Sequence, residues 1–158
     1  MKPLSQANLE AIYQHALEAY PEECCGVVIG EAGQPEGPYR VRRCQNIQND
    51  LHRKDPERYP RDARTAYFMN PMELFEIFTE MEKRGEEFKA FYHSHPDHKA
   101  YFSAEDKAMA TNQDGPTYPN ALYIVVSVYH RQVHDIGFFE WDEESRDFVR
   151  RGFFTDRL

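Results

Sequence analysis

Residues 121–128 read Ala-Leu-Tyr-Ile-Val-Val-Ser-Val, a run without charge in which most side chains are aromatic or β-branched. Neither alternate set of side chains along it is polar, so it predicts a strand buried on both faces. Such a strand belongs in the middle of a sheet, and both faces of that sheet need cover. Further strands are predicted at Cys24–Gly30, around Val27, Val28 and Ile29, and at Tyr39–Gln45, Phe88–His93, Val133–Trp141 and Phe148–Phe154.

The cover is predicted from helical spacing. Leu9, Ile12, Tyr13, Ala16, Leu17 and Tyr20 recur on one face of a helix that Ser5 caps and Pro21 stops. Asn70-Pro71-Met72-Glu73 starts another, with a cap, a first-turn proline and a glutamate placed for a capping box. Its expected inward face is Leu74, Phe75, Phe78 and Met81, and Gly85 ends it. Ser103–Asn112 is a short helix with Met109 expected inward. Residues 46–64 are polar, contain two prolines and show neither period, so they read as a long loop that shapes a binding site. Helices and strands do not alternate strictly, which predicts an α+β fold with a mixed central sheet flanked by helices. The whole chain, 1–158, is expected to be one domain.

Composition excludes several classes. The net charge of −8 argues against a nucleic-acid partner, which would call for a basic stripe. No apolar run approaches the roughly 20 residues that span a bilayer. Cys24, Cys25 and Cys44 are odd in number, and no leader-like segment precedes them. Reduced thiols in a cytoplasm are the expected state, with Cys25 in the core.

The chemistry concentrates in Phe91-Tyr92-His93-Ser94-His95-Pro96 and, seven residues after His95, Ser103-Ala104-Glu105-Asp106. Alternate residues of a strand point the same way, so an H-x-H pair at a strand end can offer two imidazoles to one metal. Ser103 and Asp106 also have the spacing of a helix cap, and a helix start is a rigid mount for a ligand. Two imidazoles and a carboxylate leave zinc's fourth position open for water. Upstream, Glu22-Glu23-Cys24-Cys25-Gly26 places a carboxylate where a buried strand begins.

Glu-x-Cys-Gly before an apolar strand, then His-Ser-His-Pro, then Ser-x-x-Asp resembles the JAMM (MPN+) zinc metallopeptidases, in particular their stand-alone prokaryotic branch. The resemblance runs from the first helix to the strand near Val128. It implies a JAMM/MPN fold with cytidine-deaminase-like layering and a Zn2+ cofactor. His93, His95 and Asp106 would be the metal ligands. Glu23, which stands in the motif register where Glu22 does not, would be the proton shuttle, and Ser103 would hold the oxyanion. It further implies hydrolysis of a peptide or isopeptide bond at the Gly-Gly tail of a ubiquitin-like protein. Processing of a sulfur carrier, including release of a C-terminal cysteine, is the leading form of that reaction. Deconjugation of a ubiquitin-like modifier is the alternative.

Two other readings use the same residues. His93-Ser94-His95-Pro96-Asp97-His98 also satisfies H-x-H-x-D-H, the pattern of metallo-β-lactamase-like hydrolases, with Asp97 and His98 on a second metal. That reading leaves Glu23 and Asp106 unexplained and has only His130 and His134 downstream. A non-catalytic interaction domain would instead use Arg53, Lys54, Arg58, Arg61 and Arg64 against an acidic partner.

Overall fold

The computed structural model describes residues 4–152. The chain runs α1 (Gln6–Ala19), β1 (Cys25–Glu31), β2 (Tyr39–Cys44), α2 (Gln48–Lys54), α3 (Pro71–Arg84), β3 (Glu86–Pro96), α4 (Ala104–Ala110), β4 (Thr111–Asn112), β5 (Gly115–Pro116), β6 (Leu122–Tyr129), β7 (Gln132–Asp142) and β8 (Asp147–Arg151). Six strands form one sheet in the order β2-β1-β3-β6-β7-β8. Only the central pair, β3 and β6, is parallel. The sheet is therefore mixed, as expected, and β6 is internal.

Alternation along the strands sorts the core into two layers. On one face Val28, Ala90, Tyr92, Leu122, Ile124, Val126 and Val128 pack under α1 through Leu9, Ile12 and Ala16. On the other, Val27, Ile29, Phe91, Tyr123 and Val125 meet Ile77 and Met81 of α3 and Ala110 of α4. Each wholly buried Val or Ile contributes roughly 1.5–3 kcal/mol, which makes the β3–β6 pair the stable centre of the molecule.

Ser5 accepts from the Asn8 N–H at 3.1 Å and its own N–H donates to Asn8 Oδ1 at 3.3 Å, closing the first turn of α1 reciprocally. Gly26 faces Tyr92 across β1 and β3. A Cβ there would fall well inside 3.0 Å of the Tyr92 ring. The Tyr92 hydroxyl lies 2.7 Å from His15 Nδ1 of α1, so the ring has little room to move. The glycine of Glu-x-Cys-Gly is thus required by the tyrosine that precedes His93.

Several local expectations are corrected. Residues 48–54 are helical, not loop. α2 lacks an apolar stripe and is anchored by polar side chains: Gln48 Nε2 donates to the Arg61 carbonyl at 2.9 Å and Asn49 Oδ1 accepts from the Ala63 N–H at 2.8 Å. Helix α3 is rolled relative to the expected face. Ile77 and Met81 are buried, whereas Phe75 is 67% and Phe78 45% exposed. Two apolar stripes lie side by side on this helix, and the sheet takes only one. Glu73 does not complete a capping box, because its carboxylate accepts from the Gln45 N–H at 3.1 Å while Asn70 caps Met72. Met109 is 46% exposed, and Asp106 and Ala110 are the inward residues of α4. Strand β3 extends past His93 through Pro96. The last strand is seen at Asp147–Arg151, and positions 153–154 of the expected strand lie outside the described residues. Cys24, Cys25 and Cys44 are all buried free thiols. Among the described residues, no helix is long and apolar enough to cross a membrane.

Candidate metal centre

Because β3 stays extended through Pro96, His93 and His95 project from the same face while Ser94 points to the other. The two Nε2 atoms are 3.2 Å apart. Asp106 Oδ2, from the first turn of α4, lies 3.2 Å from His93 Nε2 and 3.4 Å from His95 Nε2. Three tetrahedral donors held about 2.0–2.1 Å from a common metal stand about 3.3–3.4 Å apart. The triangle matches that spacing, and all three residues are buried. Two facing imidazole nitrogens beside a carboxylate oxygen could hold one divalent cation.

The second contacts orient the donors. His95 Nδ1 is 2.9 Å from the Lys99 carbonyl, an acceptor only, so Nδ1 carries the proton and Nε2 keeps its lone pair. The Tyr67 ring stacks on His93 at 4.5 Å, and Tyr101 meets the edge of His95 at 5.0 Å. The Ser103 N–H donates to Asp106 Oδ2 at 2.9 Å, and Ser103 Oγ accepts from the Asp106 N–H at 3.0 Å. That capping box fixes the Asp106 carboxylate. Ser103 spends an acceptor lone pair on it, and its hydroxyl proton is left to donate.

Glu23 enters from the turn before β1, 7% exposed, with a carboxylate oxygen within 4.8 Å of the histidine nitrogens. Its backbone is clamped at both ends. The Glu23 N–H donates to the Ala63 carbonyl at 2.7 Å, and the Glu23 carbonyl accepts from Asn46 Nδ2 at 3.0 Å. Asn46 also accepts from the Gln48 and Phe68 N–H groups, both at 3.0 Å, so one side chain ties the segment after β2 to the glutamate. Glu22 turns away and accepts from Asn49 Nδ2 at 2.6 Å.

Electrostatics separate the two carboxyls. Burial, helped by the Asp106 and Glu105 charges, pushes Glu23 up to about 9, with Arg61 opposing. Burial would also raise Asp106, but His93, His95 and the Ser103 N–H hold it well below the usual carboxylate range. Burial lowers His93 below the ordinary imidazole range, with the Asp106 charge opposing. A carboxylate held low and a carboxyl pushed high thus meet beside the histidine pair.

Glu23, His95, Ser103 and Asp106 border a cleft of about 390 Å³, with Arg61, Tyr67, His98, Tyr101 and Glu105 among its other lining residues. Arg61, Thr65, Ala66 and Tyr67 supply one wall, at the end of the segment expected to shape a binding site. Sequence reasoning missed the contacts of Tyr67, Tyr101 and Asn46. Polar residues inside an aperiodic segment carry no local signal of what they will touch. Asp97 is not at the centre: its Oδ1 accepts from the Tyr20 hydroxyl at 2.7 Å. His98 lines the cleft without entering the donor triangle.

The family of prokaryotic homologs of the JAB domain (Prok-JAB) matches residues 5–142. The chain belongs to this family. The assignment replaces the metallo-β-lactamase-like reading. Among relatives of this JAB domain, the CysO-cysteine peptidase of Mycobacterium tuberculosis is 31% identical over 128 residues, 81% of this chain and 74% of that protein. The desampylase of Haloferax volcanii is 27% identical over 122 residues, 75% of this chain and 74% of that protein. In three dimensions the JAB domain is similar to a JAB1/MPN domain protein of Archaeoglobus fulgidus, with a TM-score of 0.50 at 16% identity over 94% of each chain. That likeness concerns the fold alone.

Proposed function

We propose that this protein is a zinc metallopeptidase that hydrolyses the bond following the Gly-Gly tail of a small ubiquitin-like protein, foremost a sulfur carrier. The observation that carries the reading is the donor triangle of His93, His95 and Asp106 with the buried carboxyl of Glu23 beside it. The relatives support the substrate class, because their names denote action on small modifier or carrier proteins. The desampylase likeness keeps deconjugation as the second form of the same chemistry.

His93, His95 and Asp106 would hold the ion. When bound, zinc supplies a Lewis acid for the scissile carbonyl and makes water acidic enough to attack near neutral pH. Beside a bound cation Glu23 would be ionised, the positive charge countering the burial that raises it. Its Oε then takes the proton of the attacking water and returns it to the departing amine nitrogen, so the amide C–N bond breaks with no net proton change at the carboxyl. Ser103 Oγ–H donates to the oxygen on which charge develops. Tyr67 and Tyr101 exclude bulk water from the imidazoles and hold their planes. The cleft's open side receives the extended tail.

The test is incubation of zinc-loaded and chelated protein with ubiquitin-like carriers carrying C-terminal extensions after Gly-Gly, read by intact mass. Loss of the extension in the loaded sample alone is expected. An unchanged mass across the panel with zinc bound sinks the proposal.

A further inference from the structure

Five cations fall between Arg53 and Arg64, and the fold treats them differently. Arg53 is paired with Asp50 on α2, Arg64 with Asp62, and Arg58 lies over the Tyr59 ring. Arg61 alone of this run lines the cleft. Its main chain is held by Gln48, whose amide donates to the Arg61 carbonyl at 2.9 Å and is itself buried. Its guanidinium makes two contacts with Glu105, Nη2 to Oε1 at 2.9 Å and Nη1 to Oε2 at 3.1 Å. Two parallel N–H donors facing two carboxylate oxygens form the fork by which arginine recognises any carboxylate. Both partners are about half exposed, so an incoming carboxylate can exchange with or join Glu105 at little cost.

Position gives this fork a meaning. Arg61 and Glu23 line the same cleft, and the Arg61 charge acts on the Glu23 carboxyl. In the mechanism above Glu23 meets the leaving amine nitrogen. In a single leaving amino acid the α-carboxylate is one Cα away from that nitrogen. A cation that receives it must therefore face the same cleft as the proton shuttle, as Arg61 does. A longer peptide extension has an amide carbonyl at that position and an isopeptide-linked lysine has only methylenes, so neither has a charge to offer there.

Resting on the proposed peptidase reading, the geometry points to Arg61 as the receptor for the free α-carboxylate of one residue released from the carrier tail. Glu105 is then the stand-in anion that keeps the guanidinium aimed into the cleft between turnovers. The site consequently favours trimming of one terminal residue over deconjugation.

The experiment uses the full zinc-loaded chain and three semisynthetic substrates built on one ubiquitin-like carrier ending in Gly-Gly. They are extended by alanine as the free acid, by alanine carboxamide, and by aspartyl carboxamide, whose only carboxylate is on the side chain. Wild type is expected to prefer the free acid over both carboxamides by about tenfold or more in kcat/KM, carried by KM. Arg61→Ala should abolish most of that preference and Arg61→Lys should retain part of it. The same preference is read without turnover by calorimetric titration of tail peptides into Glu23→Gln and into Glu23→Gln with Arg61→Ala. An equal loss on all substrates in Arg61→Ala would mean the arginine only supports α4 through Glu105, and would overturn the assignment. So would an undiminished preference, or an aspartyl carboxamide treated as well as the free acid. Failure of wild type to cleave any of the three refutes the peptidase reading itself, a separate outcome.

Discussion

Replacing Glu23 by Gln separates the energetic burden of the candidate proton shuttle from its chemical use. In the metal-free protein Glu23 goes from an ordinary 4.5 to about 9, chiefly through burial. A carboxyl raised on folding is protonated in the native state while the unfolded chain is ionised. Its favourable condition is fully present below about 4.5 and is lost as pH rises toward 9. At 1.36 kcal/mol per pH unit, the loss amounts to about 3 kcal/mol by pH 7. Glutamine keeps the shape and removes the titration. Chelated Glu23→Gln should therefore melt above chelated wild type by roughly 6–12 °C at pH 7, given about 2–4 °C per kcal/mol for a chain of this size. The gap should widen from pH 5 to pH 8. The comparison reads Glu23 together with its repulsion by Asp106. Zinc-loaded Glu23→Gln should meanwhile lose about 10²–10⁴ in kcat, the usual value of a general acid–base group. The assay is calorimetric melting with excess chelator across pH, paired with tail-cleavage rates. A gap independent of pH, or a variant that still turns over, refutes the reasoning.

Asp106→Ala removes one corner of the donor triangle, and metal analysis should fall from about one zinc per chain to near none, while the circular dichroism of the sheet persists. Gly26→Ala drives a methyl into the Tyr92 ring and strains its contact with His15. Overpacking of this kind costs about 1–3 kcal/mol, seen as a lowered midpoint in urea; an unshifted midpoint would show that Tyr92 moves freely. Ser103→Ala loses the α4 cap, worth about 0.5–2 kcal/mol, and the candidate oxyanion donor together. Ser103→Gly removes the hydroxyl donor at a cap cost of only about a few tenths of a kcal/mol, so a rate it leaves intact would assign the serine a structural role only.

Much of the sheet was legible because its signals are local. The charge-free run at 121–128 could only be an inner strand, and β6 is one. The start of α1 at Ser5 and the end of α3 at Gly85 follow from caps written within four residues of each boundary. Where local signals were degenerate, the reading failed. Helix α3 carries Met72, Phe75 and Phe78 on one stripe and Leu74, Ile77 and Met81 on the next, and hydrophobicity alone does not rank them. Helix α2 has polar anchors in place of a stripe, and its partners Arg61 and Ala63 lie more than ten residues away.

The linear chain by itself supplied the chemical types that can meet: two imidazoles at strand spacing, a carboxylate at a helix start, and a glutamate before a buried strand. Whether those groups converge was a matter for packing. The parallel pairing of β3 with β6 and the Asn46 clamp on Glu23 join segments distant in sequence. Periodicity is a property of neighbours along the backbone, so it can be read residue by residue. A donor triangle with edges of 3.2–3.4 Å exists only after burial has brought strand β3 and the start of α4 to one point.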